Sequence, residues 1–128
     1  MEYFSFQWHI TEACDQRCKH CYIYALGSHA KFRQMATEDM RKVLDNIETF
    51  GRKAGRKPYL YITGGDPILH PHFWTLADML RERYIPFTVL GNPFHLTDDV
   101  CRRIKDCGCH QYQLSCFRHF FVVKKLIA

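Results

Sequence analysis

A chain of 128 residues can build one domain with its own core and little more. Its hydrophobic share of 47% and charged share of 24% exclude a wholly disordered chain, and a net charge of +5 permits an anionic partner without arguing for one. The seven cysteines are odd in number, Met1-Glu2-Tyr3-Phe4 lacks a basic and apolar leader, and no apolar run approaches the ~20 residues that span a bilayer, so the expectation is a reducing, cytoplasmic setting with thiolates kept for metal.

In chain order, Phe4, Phe6, Trp8 and Ile10 alternate with Ser5, Gln7 and His9. That period of two predicts a strand over residues 3–11. A loop follows to about Arg33, carrying Cys14, Cys18 and Cys21, with Gly27 and Ser28 suited to a turn. Thr37 reads as a helix N-cap, with Glu38 and Asp39 in a first turn whose dipole favours acids. Met40, Val43, Leu44, Ile47 and Phe50 recur at helical spacing, which predicts an amphipathic helix ending near Gly51.

Arg52 to Pro58 reads as a basic connector, and Tyr59 to Ile62 as a short buried strand stopped by Thr63-Gly64-Gly65-Asp66-Pro67. Pro71 suits the first turn of a second helix, with Phe73, Leu76, Ala77, Leu80 and Tyr84 as its apolar face. Pro86 to Leu90 forms a third strand, closed by Gly91-Asn92-Pro93. Thr97 caps a third helix with Val100, Ile104 and Cys107 inward, and Gly108 ends it. Gln111 to Ser115 is the fourth strand.

Strand alternates with helix in units of roughly thirty residues, which implies parallel strands with helical crossovers. The fold class is therefore α/β. Cys116 to Ala128 does not continue the alternation and has neither helical caps nor a clean period of two.

The chemistry begins with the spacing C-x3-C-x2-C at Cys14, Cys18 and Cys21. Three thiolates on one loop can hold three irons of a cubane cluster, whose full ligation takes four. The fourth iron stays open, and an open position distinguishes catalytic metal sites from structural ones. The competing reading is structural zinc with His20 as the fourth ligand. Structural zinc sites usually pair two knuckles across a longer span. Only one clear knuckle is present here, and His20 is boxed between Cys18 and Cys21.

With His20 before the last cysteine and Tyr22 after it, the stretch closely resembles the cluster motif of the radical S-adenosylmethionine (SAM) superfamily. Thr63-Gly64-Gly65-Asp66-Pro67 resembles that family's glycine-rich motif for the SAM amino group, with Asp66 where Glu is usual. The turn ends the second strand of the series, and such barrels place their sites at the carboxyl ends of their strands. The resemblance extends to Asn92 after the third strand and to Ser115 after the fourth as SAM contacts. It departs at Cys116-Phe117-Arg118, where the family has a short acidic, glycine-containing turn.

The resemblance implies a partial TIM barrel, of which residues 1–115 would supply the N-terminal portion, about four of the usual six β/α units. Residues 116–128 would be a foreign-looking apolar and basic tail, as a truncation, a frameshift or a fragment would leave. The implied cofactors are a [4Fe–4S] cluster on Cys14, Cys18 and Cys21, and SAM chelated at its open iron. Reduction by an external one-electron donor of the flavodoxin or ferredoxin type would then yield a 5′-deoxyadenosyl radical. Gly64, Gly65, Asp66, Asn92 and Ser115 are the implied SAM contacts, and no catalytic side chain is assigned.

Trp8-His9-Ile10-Thr11 leading into the cysteines is most similar to peptide-modifying maturases, which makes a peptide the expected substrate. Two alternatives stay open, a catalytically inactive cluster-binding remnant and a small structural zinc module. Cys101 and Cys107 read as helix packing, while Cys107-Gly108-Cys109 could also bind metal. Arg52 to Lys57 reads as a solvated loop rather than a nucleic-acid contact, and His29, His70, His72, His95, His110 and His119 as surface residues.

Overall fold

The alternation of Phe4, Phe6, Trp8 and Ile10 becomes strand β1, Tyr3–Thr11. In a computed structural model, which describes residues 2–11, 34–91, 95–116 and 119–125, Trp8 and Ile10 are buried while Ser5, Gln7 and His9 are exposed. Helix α1 (Thr37–Ala54) packs on this strand, and Phe50 meets Phe4 with ring centroids 4.8 Å apart. Strand β2 (Lys57–Gly64), a 3-10 turn (Pro67–Leu69), helix α2 (Phe73–Glu82), strand β3 (Phe87–Gly91), helix α3 (Asp98–Asp106) and strands β4 (Cys109–Cys116) and β5 (His119–Lys125) follow.

The sheet runs in the order β1-β2-β3-β4-β5. Its first four strands are parallel, and β5 lies antiparallel to β4. The fold is thus α/β, a parallel sheet with alternating helices, as in part of a TIM barrel. The sheet is not closed among the described residues: β1 forms one edge and β5 the other.

One apolar core joins Leu60, Ile62, Phe87, Val89 and Tyr112 of the sheet to Met40, Leu44, Phe73, Leu76, Leu80 and Ile104 of the helices. Alternation then turns Ser5, Gln7, His9 and Tyr61 to the other face, where all four are exposed.

Several local expectations are corrected. Thr37 is the first helical residue, and the N-cap is Ala36, which offers no side-chain bond. The helix passes Gly51 and ends at Gly55, whose φ of 65° suits a residue without Cβ. There Arg56 N–H bonds Gly51 O at 3.0 Å and Gly55 N–H bonds Arg52 O at 3.4 Å, a Schellman closure. Gly51 serves contact instead, because a Cβ on it would meet Arg56 O at 2.8 Å. The basic connector is accordingly split between the last turn of α1 and the start of β2.

Pro71 lies ahead of the cap of α2, and Pro67 opens the 3-10 turn. Tyr84 falls beyond the end of α2 with a φ of 55° and is 92% exposed, so it leaves the apolar face it was assigned to. Thr97 does cap α3, its Oγ1 accepting from Val100 N–H at 3.2 Å.

The stretch left without structure by its lack of alternation supplies β5. Its backbone pairs from Cys116↔His119 through Gln111↔Lys125, with an irregularity at Tyr112/Gln113. Phe120-Phe121-Val122-Val123 is a run of aromatic and β-branched residues of high strand preference. The open edge of β4 offers it a ladder of hydrogen-bonding groups.

Candidate functional site

Because β1 to β4 are parallel, their carboxyl ends share one edge of the sheet. Thr11, Gly64, Gly91 and Cys116 end these strands. Cys14, Cys18 and Cys21 follow directly on Thr11 and, with Asn92, lie outside the described residues. Ser115 is the penultimate residue of β4 and pairs with Phe120 of β5.

The base of the cysteine loop is well tied. Thr11 bridges Gln34 in antiparallel fashion, and Met35 N–H bonds Ile10 O at 3.2 Å. The chain that leaves the sheet at Thr11 therefore returns beside it. The glycine turn meets the same residue: Gly65 N–H donates to Thr11 O at 2.8 Å, and Gly64 pairs with Thr11 after a register shift in β1. A Cβ on Gly64 would fall on Thr11 O and lie 3.2 Å from Thr11 N, so only glycine lets the two backbones approach this closely.

Asp66 follows the turn and is 0% exposed. The resemblance implies a SAM contact for this residue, and its Oδ1 accepts from Tyr112 Oη at 3.4 Å. Gly91 completes this contact, since a Cβ there would run into Tyr112 Oη and lie 2.8 Å from Asp66 Oδ1. Burial first, then the adjacent carboxylate, pushes the Tyr112 phenol far above its ordinary value, so it stays protonated and donates. Sequence reasoning missed Tyr112. As one apolar position in a strand it carried no signal of this role.

His70 corrects another expectation. It is 3% exposed rather than on the surface. His72 N–H donates to its Nδ1 at 2.9 Å, so the proton of the neutral ring sits on Nε2, which donates to Met35 O at 2.7 Å. Burial lowers its pKa below the usual histidine range, against the raising effect of the Met35 carbonyl.

Cys107 and Cys109 are buried thiols. Cys109 Sγ donates to Gln111 O at 3.3 Å, and burial pushes its pKa up to about 12. Cys107 is likewise raised, by burial and then by Asp78, to which its Sγ donates at 3.8 Å. No group of three His, Cys, Asp or Glu side chains suited to a metal ion occurs among the described residues. Since thiolates are the reactive form, iodoacetamide at pH 8 is expected to label half-buried Cys101 in the native chain. Cys107 and Cys109 are expected to react only after denaturation. Mass mapping checks this, and rapid native labelling of Cys109 would contradict its burial.

A cleft of about 460 Å³ lies at the opposite, amino edge, lined in part by Glu48, Arg52, Arg56, Lys57, Arg83 and Tyr84. Its charges are partly paired: Arg83 with Asp45 at 2.7 Å and Glu48 at 3.6 Å, and Arg56 with Glu2 at 3.5 Å. Among the described residues, no helix is long and apolar enough to cross a membrane.

Residues 8–117 match the family described as the Radical SAM superfamily. Among curated proteins, the chain is 26% identical over 110 residues to the mycofactocin maturase MftC of Mycobacterium ulcerans, covering 84% of this chain and 27% of that one. It is 30% identical over 92 residues to an S-adenosylmethionine-dependent nucleotide dehydratase of Fibrobacter sp., covering 70% and 27%. It is 24% identical over 101 residues to the Fe-coproporphyrin III synthase of Methanosarcina barkeri, covering 79% and 24%. The chain spans about a quarter of the length of these relatives.

Proposed function

The chain belongs to the radical SAM superfamily, and from that premise we propose that it holds a [4Fe–4S] cluster on Cys14, Cys18 and Cys21, binds SAM beside it, and forms part of an enzyme that modifies a peptide. Members of the superfamily bind both groups. The observation that carries the reading is the bare backbone of Gly64 and Gly65 held against Thr11, at the base of the cysteine loop. A side chain at Gly64 would fill that approach.

Bound together and given one electron, cluster and SAM would supply radical chemistry able to take a hydrogen atom from substrate. The chain's own residues position these groups. Cys14, Cys18 and Cys21 would hold three irons as thiolates. The backbone of Gly64 and Gly65 would face the SAM amino group, with Asn92 and Ser115 at the neighbouring strand ends. Asp66 would act from beneath, where its contact with Tyr112 anchors the turn. The peptide assignment draws on Trp8-His9-Ile10-Thr11 ahead of the cysteines and on a relative named a maturase. The electron would come from a donor of the flavodoxin or ferredoxin type, in the cytoplasm.

Anaerobic reconstitution of the chain and of Cys18→Ala tests the ligand set. The parent is expected to turn brown and to bind iron and sulfide in equal amounts. Cys18→Ala is expected to lose most of its iron. Unchanged iron in the variant, or a colourless zinc-loaded parent, would overturn the assignment.

A further inference from the structure

We infer that His70 is a positioning residue for the cysteine loop, its imidazole clamping the carbonyl of Met35, where that loop rejoins the sheet, to the corner after the glycine turn. The inference rests on the cluster reading for its consequence and on geometry for its substance. The loop leaves the sheet at Thr11 and returns at Gln34. At the return, Met35 is held through both backbone groups, its N–H by Ile10 O at 3.2 Å and its C=O by His70 Nε2 at 2.7 Å. The imidazole is itself oriented, because Nδ1 accepts from His72 N–H at 2.9 Å and that bond leaves the proton on Nε2.

The corner that carries His70 is braced by its own backbone hydrogen bonds. Leu69 N–H bonds Asp66 O, His70 N–H bonds Pro67 O and Phe73 N–H bonds His70 O, each at 3.0 Å. The same corner begins at Asp66, directly after Gly65, whose N–H holds Thr11 O at 2.8 Å. The two ends of the cysteine loop are thus tied to one structural unit, the departing end through Gly65 and the returning end through His70. A side chain at position 70 must accept from one backbone N–H and donate to a carbonyl several ångströms away. A neutral histidine spans that distance in a single rigid ring. Glutamine keeps a donor at comparable reach to Nε2, and alanine keeps nothing.

The consequence is mechanical. Three cysteines must meet one cluster, and a ligand set on a loop is only as well placed as the anchors of that loop. Without the imidazole, the Met35 carbonyl loses its partner, and the returning end keeps the Met35 N–H bond, the Gln34 bridge and the packing of Met35 on the core.

The test uses amide hydrogen exchange on the full metal-free chain, read by mass spectrometry in wild type, His70→Ala and His70→Gln. Iron release to a chelator from the reconstituted proteins is measured alongside. Exchange at Met35 is expected to rise about tenfold in His70→Ala, with protection at Leu76 and Leu80 of α2 kept, and His70→Gln is expected to recover most of the loss. Iron release should follow the same order.

Unchanged protection at Met35 in His70→Ala would overturn the clamp. So would protection lost equally along α2, which would make His70 a general fold residue. If the wild-type chain takes up no iron, the cluster reading fails, while the exchange measurement still decides the clamp.

Discussion

Gly64→Ala is expected to destabilise the chain by about 3 kcal/mol or more and to abolish retention of SAM. The added Cβ would fall on Thr11 O and lie 3.2 Å from both Thr11 N and Thr11 Cγ2. Two of these neighbours are backbone atoms of β1, so no side chain can swing aside to make room. The strands would have to part at their last paired position, Thr11↔Gly64. That movement would also strain the 2.8 Å bond from Gly65 N–H to Thr11 O.

Gly55→Ala is the matched control. It carries a φ of 65° but nothing lies within 4 Å of its Cβ, so its cost is the conformational one, about 1 kcal/mol. Urea unfolding of the metal-free proteins gives the difference, and equilibrium dialysis of labelled SAM on the reconstituted proteins gives the loss of binding. Equal costs for the two substitutions would show that β1 and the glycine turn are not held in this contact.

Gly91→Ala is expected to cost about 2–4 kcal/mol, and part of that cost should disappear in a Tyr112→Phe background. A Cβ at position 91 collides with Tyr112 Oη and comes within 2.8 Å of Asp66 Oδ1 and 3.1 Å of Tyr112 Cζ. Removing the hydroxyl eliminates the first collision and leaves the others. Tyr112→Phe alone should cost about 1–3 kcal/mol, because it takes a donor from a fully buried carboxylate. The double mutant should therefore be more stable than the sum of the single effects predicts, by about 0.5–2 kcal/mol. Strict additivity in a urea double-mutant cycle would separate Gly91 from the Asp66–Tyr112 contact.

These two experiments bear on one unit. Gly64 binds the turn to β1, while Asp66, Gly91 and Tyr112 bind it to β3 and β4. A SAM-binding backbone would thus be held from both sides, with the acidic side chain working below the surface.

What could be read from the chain alone is what depends on neighbours in sequence. The period of two in β1 and the helical spacing of Met40, Leu44 and Ile47 report which face of each element is apolar, and burial follows that face. Thr97 caps α3 through a bond spanning three residues, so its role is visible locally. The cysteine spacing and Gly64-Gly65 carried the family resemblance for the same reason, since each motif is contiguous. Strand–helix alternation was enough to imply parallel strands, and hence a common edge for their carboxyl ends.

Tertiary structure alone decided the contacts between residues far apart in the chain. His70 resembled other scattered histidines until folding brought Met35 O to its ring. Phe120-Phe121-Val122-Val123 has no alternation to announce a strand, and it became one because β4 presents an open edge to pair with. Tyr112 and Asp66 are 46 residues apart, and neither position contains the other's chemistry. Parallel pairing across β2, β3 and β4 brings the phenol, the carboxylate and a glycine without a side chain to the same place, because a contact between strands is set by register, which no single strand encodes.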